Sequence, residues 1–426
     1  MVISKLKQVL FGEYILNVGW MAGAELANRV IRLLSTVVLA RMFSPQDYGL
    51  MAIIYTLSDF ANVFTLRGGI GSKIIQANEQ DVKAICNTAY WLNWIACGSL
   101  FIIQCFVAFL IPYFSHDQHV TLPLCIVALT YLVYPLFVIH LTLIERENRF
   151  KIVAMCNVTT SLVWNVFTAM FALLGMGIWA IIWPMFLAAP FWIIITWKYH
   201  PWRPPLRFSL ERLPEVLGFG SNLLINDLLN KVRANVDYLI VGRYLGIEAL
   251  GMYYFAFNAG SGITLNLLNT FMSPLYPYIC AARNDYWQFR QRYFSSLKKV
   301  SVILVPLILL QASLAPIYVP IVFGKKWVPA IPVLILICLS VVPRIYAWAS
   351  ELLLNAINKT RISLYISVAS TTIFIASILA AVQGGIVSVA FAVFLNVLVV
   401  SSASTLWTHR FALREEHLLK YLDIKS

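Results

Sequence analysis

Long apolar runs recur along almost the whole 426-residue chain, separated by short polar connectors. A helix that crosses a bilayer needs about 20 mostly apolar residues, and about twelve runs meet that requirement. They lie at roughly 14–40, 48–68, 84–111, 120–144, 152–174, 177–197, 216–241, 250–280, 300–323, 328–356, 362–382 and 385–407. The pattern predicts an all-α polytopic membrane protein with about twelve transmembrane helices, because helices satisfy their own backbone hydrogen bonds inside lipid.

The composition excludes a soluble globular protein. Apolar residues make up 60% of the chain and charged residues 12%, against about 45–50% and 25% in average soluble proteins. A net charge of +13 would suggest a nucleic-acid partner in a soluble chain. Here the positive residues lie in short connectors, so we expect them to contact anionic membrane lipid and expect no nucleic-acid partner.

Positive charge alternates between successive connectors. Most of the Lys and Arg residues lie in the connectors on the side of the two termini. The opposite connectors contain Arg41, Arg243, Lys325 and Lys326. Because positive residues in short loops mark the cytoplasmic face, both termini are predicted to be cytoplasmic. The outer connectors are short, which leaves no room for a sizeable outer domain of the kind that a membrane polymerase uses.

The first and seventh runs share a polar pattern at an offset of 202 positions. The matched pairs are Glu25 and Asp227, Asn28 and Asn230, Arg29 and Lys231, Arg41 and Arg243, and Gly49 and Gly251. Six spans separate the two copies, so the halves are parallel repeats, an arrangement found in transporters. We therefore expect two pseudo-symmetric six-helix lobes, 1–200 and 216–426, joined by a proline-rich cytoplasmic linker at 201–215.

Ionisable residues lie deep inside several predicted spans, where each would cost on the order of 2.5–3.5 kcal/mol if it faced lipid. They must therefore face water or one another. Cations there suit an anionic, phosphate-bearing headgroup, and the candidates are Arg29, Arg32, Lys231, Arg233 and Arg344. Acids suit coupling to a proton or another cation, and the candidates are Glu25, Asp59, Asp227 and Glu351.

The same charges also have a purely structural interpretation. Residues four apart share a helix face, and three oppositely charged pairs have this spacing. They are Glu25 with Arg29, Asp227 with Lys231, and Arg233 with Asp237. Such pairs could simply hold helices together, and Arg32 is then the cation predicted to lack a partner on its own helix.

Amides and prolines within the spans leave similar alternatives open. The amides suit sugar hydroxyls or hydrogen bonds between helices, and they are Asn222, Asn226, Asn235, Asn258, Asn266 and Asn269. The prolines are predicted to break helices, as hinges or as simple packing kinks. They are Pro135, Pro184, Pro306 and Pro343.

The sequence predicts no catalytic residues, no metal site and no cofactor. The segment 68–73 is glycine-rich, but it lacks the spacing of a phosphate-binding loop. His116 and His119 form a lone pair in an outer connector, which is too few ligands for a metal centre. We therefore expect that the chain is not an enzyme.

Several segments together resemble one known family. They are 39–50, 71–76, 237–246, 250–253, and 322–327 with Ala330 and Pro332. They are similar to the polysaccharide transporter branch of the MOP flippase superfamily, the Wzx-type oligosaccharide flippases, and most of all to colanic-acid and exopolysaccharide exporters. The resemblance covers essentially the whole chain.

The resemblance implies a MATE-like, V-shaped bundle of two lobes in the bacterial inner membrane. Such a protein flips an oligosaccharide linked to undecaprenyl diphosphate from the cytoplasmic to the periplasmic leaflet by alternating access. The product serves the synthesis of O-antigen, capsule or exopolysaccharide, which implies a glycan polymerase and chain-length machinery as partners. The resemblance transfers no ligand residue.

Two other functions compete with this interpretation. A drug or cation exporter of the same superfamily predicts a cavity dominated by acids, which the even balance of buried acids and bases does not favour. A membrane glycan polymerase predicts a large outer loop, and the predicted outer connectors are short. The sequence leaves open the sugar, the coupling ion and the oligomeric state.

Overall fold

The computed structural model describes residues 13–65, 67–115, 120–204, 208, 212–282 and 285–413. All the regular structure in these ranges is helical, which confirms the predicted all-α class. The chain forms two compact units, Met1–Asn235 and Val236–Ser426. His116, His119 and the side chains of Glu25, Arg29, Asn222 and Asn226 lie outside the described residues.

The helices of the first unit follow one another with short turns. They are α1 (Glu13–Met42), α2 (Pro45–Phe64), α3 (Arg67–Gln76), α4 (Glu79–Ser115), α5 (Thr121–Val133), α6 (Pro135–Arg146), α7 (Phe150–Leu173), α8 (Trp179–Tyr199) and α9 (Leu213–Leu245). Helix α9 continues into the second unit. Within the first unit, α7 packs against both α1 and α8, and α4 packs against α5.

The second unit also contains both long and short helices. It contains α10 (Ile247–Gly260), α11 (Gly262–Met272), α12 (Leu275–Cys280), α13 (Tyr286–Tyr318), α14 (Ile331–Ala356), α15 (Thr360–Ala381), α16 (Gly385–Asn396) and α17 (Ser402–Ala412). Helix α14 packs against α10, α13 and α16. Its buried face includes Val333, Ile337, Val341, Ile345 and Leu353, at the three- and four-residue spacing of a helix that faces the core.

Six helical segments in the described residues are long and apolar enough to cross a membrane. They are Glu79–Leu110, Phe150–Leu173, Trp179–Tyr199, Tyr286–Phe323, Lys325–Ala356 and Thr360–Ala412. The pair α5 and α6 meets the same requirement as one span bent by 48°. Each of the predicted runs overlaps a helix of the structure, so the polytopic character is clear, whereas the number of twelve spans stays a prediction.

Of the four prolines predicted to break helices, only Pro135 follows a helix break. The bend between α5 and α6 falls at Tyr134, immediately before Pro135, because a proline ring clashes with the preceding turn and lacks an N–H. In contrast, Pro184, Pro306 and Pro343 lie inside continuous helices, so breaks at these positions are wrong, whereas the alternative of packing kinks stays a prediction. Neighbouring groups in a bundle can compensate for the hydrogen bond that each proline removes.

An additional break, which the sequence did not predict, separates α10 from α11 at Ser261. The Gln311 side chain of α13 donates from Nε2 to the carbonyl oxygens of Ala259 and Gly260, both at 2.9 Å. Its Oε1 accepts a hydrogen bond from the Thr264 hydroxyl at 2.8 Å. Gln311 therefore stabilises the interrupted backbone from a neighbouring helix.

Candidate functional site

The first charged cluster joins α9 to α2 within the first unit. Lys231 Nζ lies 3.1 Å from Asp59 Oδ2. The side chains of Lys231 and Asp59 are 37% and 46% exposed, so the ion pair is open on one side. The predicted pairing of Lys231 with Asp227 on the same helix is wrong, because Asp59 on a neighbouring helix takes that position and Asp227 is exposed.

Further exposed charges lie on α1 and α9 of the first unit. Arg32 is exposed on α1, and Asp227 and Arg233 are exposed on α9. Because a charge that faces lipid costs on the order of 2.5–3.5 kcal/mol, this charged surface requires water or polar ligands when the chain is in a membrane. The side chains of Glu25 and Arg29 lie outside the described residues, so their predicted pairing stays a prediction.

The second charged cluster lies entirely within the second unit. Asp237 on α9 is 3% exposed, and its Oδ2 accepts a hydrogen bond of 2.9 Å from the Tyr253 hydroxyl on α10. Arg344 on α14 acts electrostatically on this carboxylate. Glu351, seven residues after Arg344, is exposed.

Sequence reasoning missed the contact between Asp237 and Tyr253, because it assigned Arg233 to this carboxylate. The available signal was that both residues belong to segments of family resemblance, 237–246 and 250–253. A buried carboxylate needs hydrogen-bond donors from its surroundings. A phenol on the next helix supplies one here.

Three of the amides predicted to contact sugar or another helix donate instead to the backbone of their own helix. Asn235, Asn258 and Asn266 each donate to the carbonyl oxygen four residues earlier on their own helix, at 3.1, 2.9 and 2.8 Å. Short polar side chains commonly bond to the local backbone in this way. Asn269 remains exposed, near the end of α11.

Several residues in or next to the segments of family resemblance make contacts at helix ends. Ser44 Oγ accepts from the Asp47 N–H at 3.1 Å, and Asp47 Oδ2 accepts from the Ser44 N–H at 2.9 Å, which forms a capping box at the start of α2. In the second unit, the fully buried Trp327 stacks on Phe255 with ring centroids 4.0 Å apart. These residues shape the helix ends.

The predicted linker is bonded to the first unit along its described residues. The Trp202 carbonyl lies 2.9 Å from His140 Nε2, and the Trp202 N–H donates to His200 Nδ1 at 3.1 Å. Arg212 Nη2 lies 2.9 Å from Asp81 Oδ1. Both ends of this segment are therefore held by helices α4 and α6.

His200 is a titratable group in this linker contact, together with His140 and Glu147. Its Nδ1 accepts the Trp202 N–H, so the proton of the neutral ring lies on Nε2, which is 3.3 Å from the Glu147 carboxylate. Burial lowers the pKa of His200 below its ordinary value, and Glu147 only partly opposes that effect. The fold therefore favours the neutral imidazole.

We compared the chain with known families and proteins. The model for the family described as "Polysaccharide biosynthesis protein" matches residues 38–332. The lipopolysaccharide biosynthesis protein WzxC of Escherichia coli is 28% identical over 411 residues, which cover 92% of this chain and 79% of WzxC. The succinoglycan biosynthesis transport protein ExoT of Rhizobium meliloti is 24% identical, over 76% of this chain and 65% of ExoT.

Solved structures share the fold at much lower identity. The lipid II flippase MurJ in its inward closed conformation is 14% identical, with a TM-score of 0.72 over 94% of this chain and 89% of MurJ. An inward-facing multidrug resistance MATE family transporter of the MOP superfamily is 12% identical, with a TM-score of 0.70 over 92% and 96% of the two chains. This chain thus shares its fold with these two transporters. Because the family model spans more than half of its length, this chain belongs to the polysaccharide biosynthesis protein family.

Proposed function

We propose that the chain translocates an oligosaccharide linked to undecaprenyl diphosphate from the cytoplasmic to the periplasmic leaflet of the bacterial inner membrane. Family membership supports a role in polysaccharide biosynthesis. The name of ExoT, a biosynthesis transport protein, supports transport in place of catalysis. The shared fold with a lipid II flippase supports a lipid-linked substrate. The chain is accordingly a transporter and not an enzyme.

The proposal includes the finer architecture predicted above. It comprises twelve spans, two lobes at 1–200 and 216–426, and two cytoplasmic termini. Transport proceeds by alternating access, as in other transporters built from repeated halves. The exported repeat unit would then pass to a glycan polymerase and to chain-length machinery.

The observation that carries the proposal is the exposed ion pair between Lys231 and Asp59. Exposed ion pairs are worth only about 0–1 kcal/mol, so a stronger anion can replace the carboxylate at little cost. A diphosphate carries more charge and more acceptor oxygens than one carboxylate. We infer that it binds Lys231 in place of Asp59.

In this proposal the other cations also contact the diphosphate, and Asp59 binds the coupling ion. Arg29, Arg32, Arg233 and Arg344 are further candidates for contact with the diphosphate. Displacement from Lys231 leaves Asp59 without its cation, so a proton or a metal cation becomes the replacement partner. Binding of the substrate and binding of the coupling ion are thereby linked at one pair of side chains.

Glu25, Asp227 and Glu351 are the other coupling candidates. Asp227 and Glu351 are exposed, so each can exchange a proton or a cation with water. Neutralisation of one of these acids without loss of export would remove that residue from the coupling step.

A drug or cation exporter is the second candidate, because the fold is shared with a multidrug transporter. The first unit carries the cations Arg32, Lys231 and Arg233 at exposed or half-buried positions, and Lys231 lies beside the acid Asp59. Such cations oppose the binding of a cationic drug and favour an anionic substrate. The charge distribution thus favours the lipid diphosphate.

Glycan export in a strain that lacks the native gene tests the proposal. Lys231→Ala should abolish export and leave lipid-linked repeat units on the cytoplasmic side, whereas Lys231→Arg should retain most export because it keeps the charge. Lys299→Ala, an exposed cation on α13, is the matched control and should export normally. Full export by Lys231→Ala at a normal membrane level would show that the ion pair only holds helices together.

A further inference from the structure

An open cavity of about 500 Å³, lined by both polar and apolar side chains, lies within the second unit at the end of α11. Its volume falls in the range of about 300–1,000 Å³ that is typical of small-molecule sites. The lining residues are Asn269, Thr270, Met272, Ser273, Trp348 and Leu352. The first four come from α11 and the turn that follows it, and the last two come from α14.

Helix geometry explains why a cavity forms at this place. Proline at position 274 has no N–H for the carbonyl of Thr270, so α11 ends and the chain turns before α12 begins. The side chains of Asn269 and Ser273 are exposed at this end. The Thr270 hydroxyl donates to the Asn266 carbonyl at 3.0 Å.

The part of the lining that α14 contributes is apolar and packs against the core of the second unit. Trp348 and Leu352 lie one turn apart on α14, and both are partly buried against the core of the second unit. Packing against the core restricts the indole ring of Trp348. The same side chain lines the cavity. An aromatic ring held in this way offers contact area with little loss of conformational entropy on binding.

The chemistry of the lining selects a class of ligand. The described residues that line the cavity carry no formal charge, whereas a phosphate site would need Arg or Lys and a cation site would need carboxylates. Amide and hydroxyl groups beside an aromatic ring match a neutral ligand that has many hydroxyls on one side and C–H groups on the other. A sugar ring is such a ligand.

We propose that this cavity, Asn269 to Ser273 with Trp348 and Leu352, is a glycan subsite that binds a neutral sugar of the lipid-linked oligosaccharide. The inference rests on the proposed function and adds the part of the substrate that this unit recognises. Trp348 stacks on the apolar face of the sugar ring. Asn269 and Ser273 hydrogen-bond to its hydroxyls.

The position of the cavity along α14 fits loading from the cytoplasm. Trp348 lies eight residues before the end of α14 at Ala356, a distance of about 12 Å at 1.5 Å per residue. The proposed orientation puts that end on the cytoplasmic side. Arg344, one turn earlier on the same helix, lies deeper in the membrane. The subsite is therefore close to the side from which the sugar enters.

Binding of two lipids to the full-length protein in nanodiscs tests the subsite. The probes are the lipid-linked oligosaccharide purified from host cells that lack this transporter, and undecaprenyl diphosphate without sugar. Trp348→Leu should weaken binding of the first lipid by about tenfold or more and leave binding of the second within about twofold. Trp348→Phe should retain most of the binding.

Two further variants separate loss of the subsite from loss of the fold. Asn269→Ala changes an exposed side chain and should weaken binding of the glycan-bearing lipid by about threefold to tenfold without altering elution on gel filtration. Trp183→Leu, at a Trp that is 42% exposed on α8, is the matched control and should bind both lipids normally. Equal weakening of both lipids by Trp348→Leu, or no weakening of either, would overturn the subsite.

The same experiment distinguishes failure of the subsite from failure of the proposed function. If the wild-type protein binds neither lipid more tightly than phosphatidylglycerol, the proposed function is wrong and the subsite is rejected with it. If the wild-type protein prefers the glycan-bearing lipid and Trp348→Leu keeps that preference, only the subsite is wrong.

Discussion

At the scale of single residues, the partners of the buried and half-buried polar groups decide the chemistry. Lys231 pairs across helices with Asp59, and Asp237 accepts its hydrogen bond from Tyr253. In both cases the partner comes from another helix and not from the same helix four residues away. A charge in a membrane protein therefore cannot be assigned a role from its spacing alone.

Variants of the Lys231–Asp59 pair should separate stability from transport. Asp59→Asn should change the free energy of unfolding by less than about 1 kcal/mol, because the pair is exposed, and should still reduce glycan export. The charge-reversed double variant, Asp59→Lys with Lys231→Asp, should keep the ion pair and the stability. Its export should nevertheless fail, since the cation now lies on α2. Thermal unfolding in detergent and polysaccharide secretion measure the two quantities.

Normal export by the charge-reversed variant would contradict the proposed role, because it would show that only the pair matters and not the position of the cation. The control is Lys298→Asp, at an exposed position of α13, which should affect neither quantity strongly.

The contact between the linker and the first unit should weaken in acid. His200 is neutral in the fold, and its pKa is lower than in an unfolded chain. The stabilisation is therefore complete above the unfolded pKa of about 6.5 and decreases as the pH falls below that value. Limited proteolysis near residue 202 should accelerate between about pH 7 and pH 5.

His200→Asn provides the control for this acid effect. The Asn Oδ1 can accept the Trp202 N–H as His200 Nδ1 does, but the amide does not titrate. The pH dependence should therefore become smaller in this variant. The groups around the ring are Glu147, Arg149, Arg203 and His140, and the two arginines stay charged at every pH used. An unchanged acid response in His200→Asn would therefore assign the effect to Glu147 or His140.

At the scale of helices, the close approach of α10 to α14 depends on a single glycine. A Cβ atom on Gly260 would lie 3.0 Å from the Leu334 carbonyl oxygen and 3.1 Å from Leu334 Cγ. The same carbonyl end of α10 receives the Gln311 side chain. Small residues allow membrane helices to pack with their backbones in near contact. The break at Ser261 and the tight packing thus occur together.

Gly260→Ala should therefore destabilise the second unit by about 1–3 kcal/mol, the usual cost of overpacking. Gly262→Ala is the matched control, because nothing lies within 4 Å of the Cβ that it would add. It should be neutral or slightly stabilising, since alanine favours helices. Apparent melting temperatures in detergent should rank the two variants in this order. Equal melting temperatures would show that α14 moves to accept the methyl group.

At the scale of the whole molecule, the fold alone does not distinguish lipid flippases from drug exporters, because both share it at 12–14% identity. Function must then come from the surfaces that the helices carry. This chain carries exposed cations in its first unit and an uncharged cavity, lined by both polar and apolar side chains, in its second. The first suits an anionic lipid carrier and the second suits a sugar.

Reporter fusions should establish the proposed orientation. Alkaline phosphatase is active only in the periplasm, so a fusion after Lys326 should be active and a fusion after Lys359 inactive. Green fluorescent protein at the C-terminus should fluoresce, because the terminus is predicted to be cytoplasmic. The reverse pattern at both loop positions would overturn the orientation and with it the direction of loading at the Trp348 cavity.

Local features of the sequence were sufficient to predict the helices and the membrane-spanning character of the chain. Each long apolar run became helical because a backbone in lipid must satisfy its own hydrogen bonds. The Ser44–Asp47 cap and the bend at Pro135 depend only on neighbouring residues. The resemblance segments identified the family because they keep these local turns.

Only the tertiary structure decided which polar groups meet. Asp59 is 172 positions from Lys231, and Asn269 is 79 positions from Trp348, and no periodicity relates such distant residues. Pairing depends on which helix faces which, and that follows from packing over the entire buried surface. For this reason the sequence by itself determined a helical membrane transporter of a known family, whereas the ion pair and the cavity followed from how its helices pack.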